Sequence, residues 1–113
     1  NSYIVDAAKG YIQKNYQDST LSLLKISTVL NISSRRLSKI FKDETQLSIS
    51  DYINDVRLVK AAELLSTTSM NVNEVVSKSG IENETYFYSM FKKKFGLTPK
   101  EYAFKRIVNM ARE

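Results

Sequence analysis

The sequence predicts an all-α protein whose seven helices form two helix-turn-helix subdomains, homeodomain-like units joined by a long connecting helix. Three observations carry that prediction. Only three Gly and one Pro interrupt 113 residues, and apolar residues recur at three- and four-residue steps almost throughout, the period of an amphipathic helix. The second half of the chain also repeats the first at a nearly fixed offset.

The first helix is expected from about Tyr3 to Tyr16, with Ile4, Ala7, Ala8, Tyr11 and Ile12 on its buried face. Ser22 suits an N-cap and opens a short helix through Leu30, which Asn31 ends because Asn tolerates the left-handed conformation. Ser33 or Ser34 caps a third helix that carries Arg35 to about Thr45. Ser48 opens the long helix, to about Ser66, with Asp51 three residues on as a capping-box partner. The polar run Thr67, Thr68, Ser69 closes it. Asn71 caps a fifth helix and Gly80 terminates it; Asn83 caps a sixth through about Phe95. Gly96 breaks the chain before Thr98, Pro99 and Glu101 open the last helix. The corresponding division is a first helix-turn-helix subdomain at 1–47, a connecting helix at 48–66 and a second subdomain at 67–113.

At an offset of 50 residues Leu37 meets Phe87, Phe41 meets Phe91, Lys42 meets Lys92, Leu47 meets Leu97, Ser48 meets Thr98, Asp51 meets Glu101 and Tyr52 meets Tyr102. Before the turns the offset falls to 49, pairing Ser22 with Asn71, Ile26 with Val75, Asn31 with Gly80 and Ile32 with Ile81. The second turn therefore holds one extra residue. Each copy is a short helix, a turn containing Asn or Gly, and a second helix able to lie in a major groove. A solenoid scaffold would need more than two copies. In the third helix Leu37, Ile40 and Phe41 form a buried stripe and Arg35, Ser38, Lys39 and Lys42 fall opposite. In the sixth the stripe is Phe87, Met90 and Phe91, opposite Thr85, Tyr88, Ser89 and Lys92.

Composition narrows the chemistry. Lys and Arg number 17 against 12 Asp and Glu, a net charge of +5, which favours anionic partners such as nucleic acid. There is no Cys and no His; disulfides, Cys/His zinc sites, thiol nucleophiles and imidazole catalysis are excluded. No catalytic residue, metal ligand or cofactor is assigned, and an enzyme is not expected. No apolar run approaches the ~20 residues of a membrane span, so no membrane association is expected. The chain begins with Asn rather than Met, from which a preceding regulatory or dimerisation domain is expected.

The stretch GIENETYFYSMFKKKFGLTPKEY, Gly80 to Tyr102, resembles the signature of the AraC/XylS family of bacterial transcription regulators. LSLLKISTVLNISSRRLSKIFKDE is similar to that family's first helix-turn-helix, and RLVKAAELL from Arg57 to its connecting helix. The resemblance implies a cytoplasmic regulator of transcription, of the activator kind by association although the residues themselves do not set the sign of regulation. It also implies double-stranded DNA and RNA polymerase as partners. The base readers it implies are Arg35, Ser38 and Lys39 in the first recognition helix and Thr85, Tyr88 and Ser89 in the second, with Glu84 at the edge. Ser33, Ser34, Arg36, Lys42, Asn83, Glu84, Lys92 and Lys93 are assigned to the DNA backbone. Lys94 is the lysine of that run expected to point elsewhere. The sequence departs from the family where Gln46 stands for a usual Gly, so a strained exit turn is expected there, and where Val76 stands for a usual Ala.

A connecting helix of about 19 residues would be ~28 Å long, near the ~34 Å of one DNA turn. Two units in successive major grooves would then meet an asymmetric site. Arg35 and Lys39 offer stronger base contacts than Thr85, Tyr88 and Ser89, so the first unit is expected to dominate. Tyr3, Tyr11, Tyr16, Tyr52 and Tyr102 are expected in the core or at its rim. The alternative function is a helical protein-interaction module contacting the transcription machinery.

Overall fold

The computed structural model describes residues 2–112; Asn1 and Glu113, the outermost residues of the two expected subdomains, lie outside the described residues. The elements are α1 (Ser2–Asn15), α2 (Leu23–Leu30), α3 (Ser34–Thr45), α4 (Ile49–Thr67), α5 (Val72–Ser79), α6 (Glu84–Phe95) and α7 (Pro99–Arg112). Among the described residues there is no strand.

Each start from α2 to α7 has its cap. The side chains of Ser22, Ser33, Asn71 and Asn83 accept from the N–H groups of Lys25, Arg36, Glu74 and Tyr86, satisfying donors that the first helical turn leaves unpaired. Asn71 and Glu74 close a full capping box. Thr98 and Glu101 close another: the Thr98 N–H donates to Glu101 Oε1 at 2.9 Å and the Glu101 N–H to Thr98 Oγ1 at 3.1 Å. At Ser48 the hydroxyl half forms, accepting from the Asp51 N–H at 3.1 Å. The ends are equally regular. Asn31 (φ 55°), Gln46 (φ 65°), Gly80 (φ 89°) and Gly96 (φ 76°) are all left-handed.

Two compact units meet inside α4, one ending at Val56 and the other beginning at Arg57. The core of the first gathers Val5, Ala8 and Ile12 of α1, Ile26 of α2, Leu37 and Phe41 of α3, and Ile49, Ile53 and Val56 of α4. The core of the second gathers Leu58, Ala61, Ala62 and Leu65 of α4, Val75 and Val76 of α5, Ile81 in the turn, and Phe87 and Phe91 of α6. The repeat therefore reaches further than the turn segments. Leu58, Ala61 and Leu65 keep the spacing of Val5, Ala8 and Ile12, so the end of α4 does for the second core what α1 does for the first.

The aromatic contacts repeat as well. Phe41 meets Tyr52 edge-on with centroids 5.4 Å apart, and Phe91 meets Tyr102 edge-on, also at 5.4 Å, the arrangement the ring quadrupoles favour.

Two expectations are corrected. The buried face of α1 is centred on Val5, Ala8 and Ile12, with Ile4 and Tyr11 only partly covered and Ala7 exposed. The helix is thus rotated slightly from the face expected. Tyr3, expected in the core or at its rim, is 73% exposed, whereas Tyr11, Tyr16, Tyr52 and Tyr102 pack against the cores. Along α7, Pro99 is buried and Tyr102 and Ala103 pack inward, but Phe104, Ile107 and Met110 are exposed.

Candidate nucleic-acid interface

The first recognition helix, α3, is fixed from beneath. Leu37 and Phe41 are fully buried, and one turn of helix between them orients every other side chain by the 3.6-residue period. Arg35, Arg36, Lys39 and Lys42 consequently stand exposed, while Ser38 is half-buried at the edge of the face. The α2–α3 turn is stitched by Asn31, whose N–H reaches the carbonyls of Ser27 and Thr28, and by Ser27 Oγ and Ser34 Oγ 2.8 Å apart. Ser34 is half-buried in that bond. Ser33 accepts from the Arg36 N–H at 3.2 Å. Lys39 Nζ lies 3.1 Å from Asp43 Oδ2, an exposed pair one turn apart. Such a pair stabilises by about 0.5 kcal/mol at most, little to give up on meeting a base.

The second recognition helix, α6, rests on buried Phe87 and Phe91, whose rings lie 5.8 Å apart. Asn83, Glu84, Thr85, Ser89, Lys92 and Lys93 are exposed, and Tyr88 is half-buried, edge-on to Phe87. Burial pushes the Tyr88 phenol above its ordinary range, and the Glu84 carboxylate one turn before adds to the shift. Tyr88 is therefore a neutral hydroxyl at physiological pH. Lys94 places its ammonium 5.7 Å from the Phe95 ring centroid.

One exposed residue escaped the sequence reading. Tyr86 is 51% exposed on the first turn of α6, at the position that the 50-residue offset pairs with Arg36. The signal was present in the repeat: a residue matched to an exposed arginine cannot belong to the core stripe.

The two helices also differ in the direction of their charge. From Ser33 to Glu44 the cations come first, Arg35, Arg36, Lys39 and Lys42, followed by Asp43 and Glu44. From Glu82 to Lys94 the acids come first, Glu82 and Glu84, followed by Lys92, Lys93 and Lys94.

Among the described residues no group of three or more His, Cys, Asp or Glu side chains could hold a metal ion, and no helix is long and apolar enough to cross a membrane. Two helix-turn-helix units with outward recognition helices define a DNA-binding class of protein. The profile of a family described as a helix-turn-helix domain, of AraC/XylS type, matches residues 26–105, and the chain belongs to that family.

The chain is 41% identical over 73 residues to the HTH-type transcriptional activator RhaR of Mannheimia succiniciproducens, covering 65% of this chain and 26% of that one. It spans about a third or less of the length of the curated relatives it first matches. Among solved structures it resembles the C-terminal domain of AraT, a response regulator from Geobacillus stearothermophilus. The TM-score is 0.85 and the identity 35%, over 90% of this chain and 84% of that one. The DNA-binding domain of AdpA, solved in complex with a target DNA, shares the fold at TM-score 0.83 and 18% identity, over 96% of this chain and 95% of that one. Family and fold are those of DNA-binding transcriptional regulators rather than enzymes.

Proposed function

We propose that the chain binds double-stranded DNA sequence-specifically at a bacterial promoter, with α3 and α6 in successive major grooves of an asymmetric site. The carrying observation is that one scaffold is built twice, each time presenting the face opposite two buried anchors: Leu37 and Phe41, then Phe87 and Phe91. In this reading residues 1–47 and 67–113 are the two readers and 48–66 sets their spacing. Arg35, Ser38 and Lys39 read bases in the first element, and Thr85, Tyr88 and Ser89 read more weakly in the second. Ser33, Ser34, Arg36, Lys42, Asn83, Lys92 and Lys93 serve the phosphates. Ser33 and Asn83 do so as the N-caps, and Ser34 as the first residue, of the recognition helices, at N-termini where amides and dipole favour anions. The protein acts in the cytoplasm, as an activator that brings RNA polymerase to the promoter.

The test is titration of a labelled promoter duplex at two salt concentrations. A specific reader loses affinity steeply with salt yet keeps its preference over scrambled sequence. Arg35→Ala is expected to cost about 1–3 kcal/mol and relax one position, whereas Lys92→Ala weakens all duplexes alike and flattens the salt slope. Equal effects of both on scrambled DNA contradict this division of labour.

A second reading, a helical module that contacts the transcription machinery, is favoured by one observation. Phe104, Ile107 and Met110 expose an apolar stripe on α7. It predicts no preference for any duplex.

A further inference from the structure

Glu84 is out of place as a phosphate contact. It is exposed at the first position of α6, the end of a recognition helix that meets base edges, and a carboxylate there repels the backbone. No cation is paired with it: the ion pairs among the described residues, Lys25–Asp18, Lys39–Asp43 and Lys60–Glu63, lie elsewhere. The cap it could have supplied is already made by Asn83, which accepts from the Tyr86 N–H at 2.9 Å. The first unit has Ser34 at the matching position, half-buried against Ser27; Glu84 is not so engaged.

Its direction is set by the helix. Glu84 and Tyr88 are four residues apart and so share a face, and the carboxylate is near enough to act on the Tyr88 phenol. Ser38, the counterpart of Tyr88, sits on the equivalent face of α3. In a major groove the partner a carboxylate can use is an amino group, and cytosine N4 is the one that carboxylates accept from. We infer that Glu84 determines specificity in the second element by accepting a hydrogen bond from a cytosine N4 amino group. This inference rests on the DNA-reading function above. It also explains why the acids lead and the lysines follow in α6: phosphate is kept from the reading end and held at the far end by Lys92 and Lys93.

The experiment selects duplexes from a random pool with the whole chain and with Glu84→Ala, Glu84→Gln and Arg35→Ala, then measures single-base variants of the selected site at fixed salt. The wild-type chain is expected to favour cytosine at one pair of the second element by roughly 10-fold. Glu84→Ala abolishes that preference, leaves the Arg35-dependent position intact and binds scrambled duplex more tightly. Glu84→Gln moves the preference to adenine, whose N6 and N7 suit an amide. If both variants bind every duplex better by one common factor, or change only the unfolding midpoint, Glu84 is a repelled or helix-stabilising charge and the inference is overturned. A wild-type chain that prefers no duplex overturns the DNA-reading function itself, and this inference with it.

Discussion

Gln46 holds φ at 65° where the second unit uses Gly96 at 76°. A Cβ at position 96 would meet nothing within 4 Å, so a side chain there is opposed by backbone strain alone. Gln46 is partly compensated, since its amide donates to the Asp43 carbonyl at 3.0 Å. Gln46→Gly is therefore expected to stabilise by about 0.5 kcal/mol, and Gly96→Ala to destabilise by about 1 kcal/mol, both read from denaturant midpoints. The strain was legible in the sequence because Gln occupies a turn whose repeat partner is Gly. The fine position of the reading residues was not. Spacing put Ser38 and Tyr88 on the same face as Arg35 and Thr85, but only packing against neighbouring side chains leaves the first pair half-buried and the second exposed.

At the scale of elements, capping chemistry carried most of the sequence reading. Ser22, Asn71, Asn83 and Thr98 are short acceptors placed just before apolar periodicity, and each caps as expected. The face of α1 was harder to read. Ile4, Ala7 and Ala8 satisfy a helical stripe as well as Val5, Ala8 and Ile12 do, and only the shape of the partner helices selects between them.

The α1–α2 connection holds a device that pattern reading did not reveal. Asp18 accepts hydrogen bonds from the Lys25 ammonium and from the Thr20 hydroxyl and N–H. Lys25 chiefly, then Thr20, holds the Asp18 carboxyl below its usual range, while Asp18 raises Lys25. The carboxylate's contribution is full above its unfolded value near 4 and is lost as acid is added; the ammonium's is full below about 10.4 and is lost only in stronger alkali. Asp18→Asn should flatten the fall in the urea midpoint between about pH 5 and pH 2. An unchanged acid limb would count against the pairing in solution. Thr98→Ala should cost about 1 kcal/mol, seen in the same assay.

For the whole molecule, the repeat was the most informative feature of the sequence because it constrains positions that no local rule reaches. It announced that the environments of Phe41 and Phe91, and of Tyr52 and Tyr102, are equivalent, as the paired edge-on contacts at 5.4 Å bear out. It could not announce that one helix contributes to two cores, since Leu58, Ala61 and Leu65 match Val5, Ala8 and Ile12 at a different offset from the rest. The proposed two-groove engagement makes a prediction at this scale. Inserting five base pairs between the two DNA elements turns them to opposite faces of the duplex. Affinity should then drop to that of a duplex carrying the first element alone, as measured by gel shift.

The meeting of the two units at Val56 and Arg57, in the middle of α4, has a practical outcome. A boundary between units usually offers proteases an exposed, flexible strand of chain, and here the backbone at the boundary is held in helical hydrogen bonds. Limited digestion should accordingly yield no stable half-molecules. A truncation meant to isolate either reader must carry the α4 residues that close its core: Ile49, Ile53 and Val56 for the first, and Leu58, Ala61, Ala62 and Leu65 for the second.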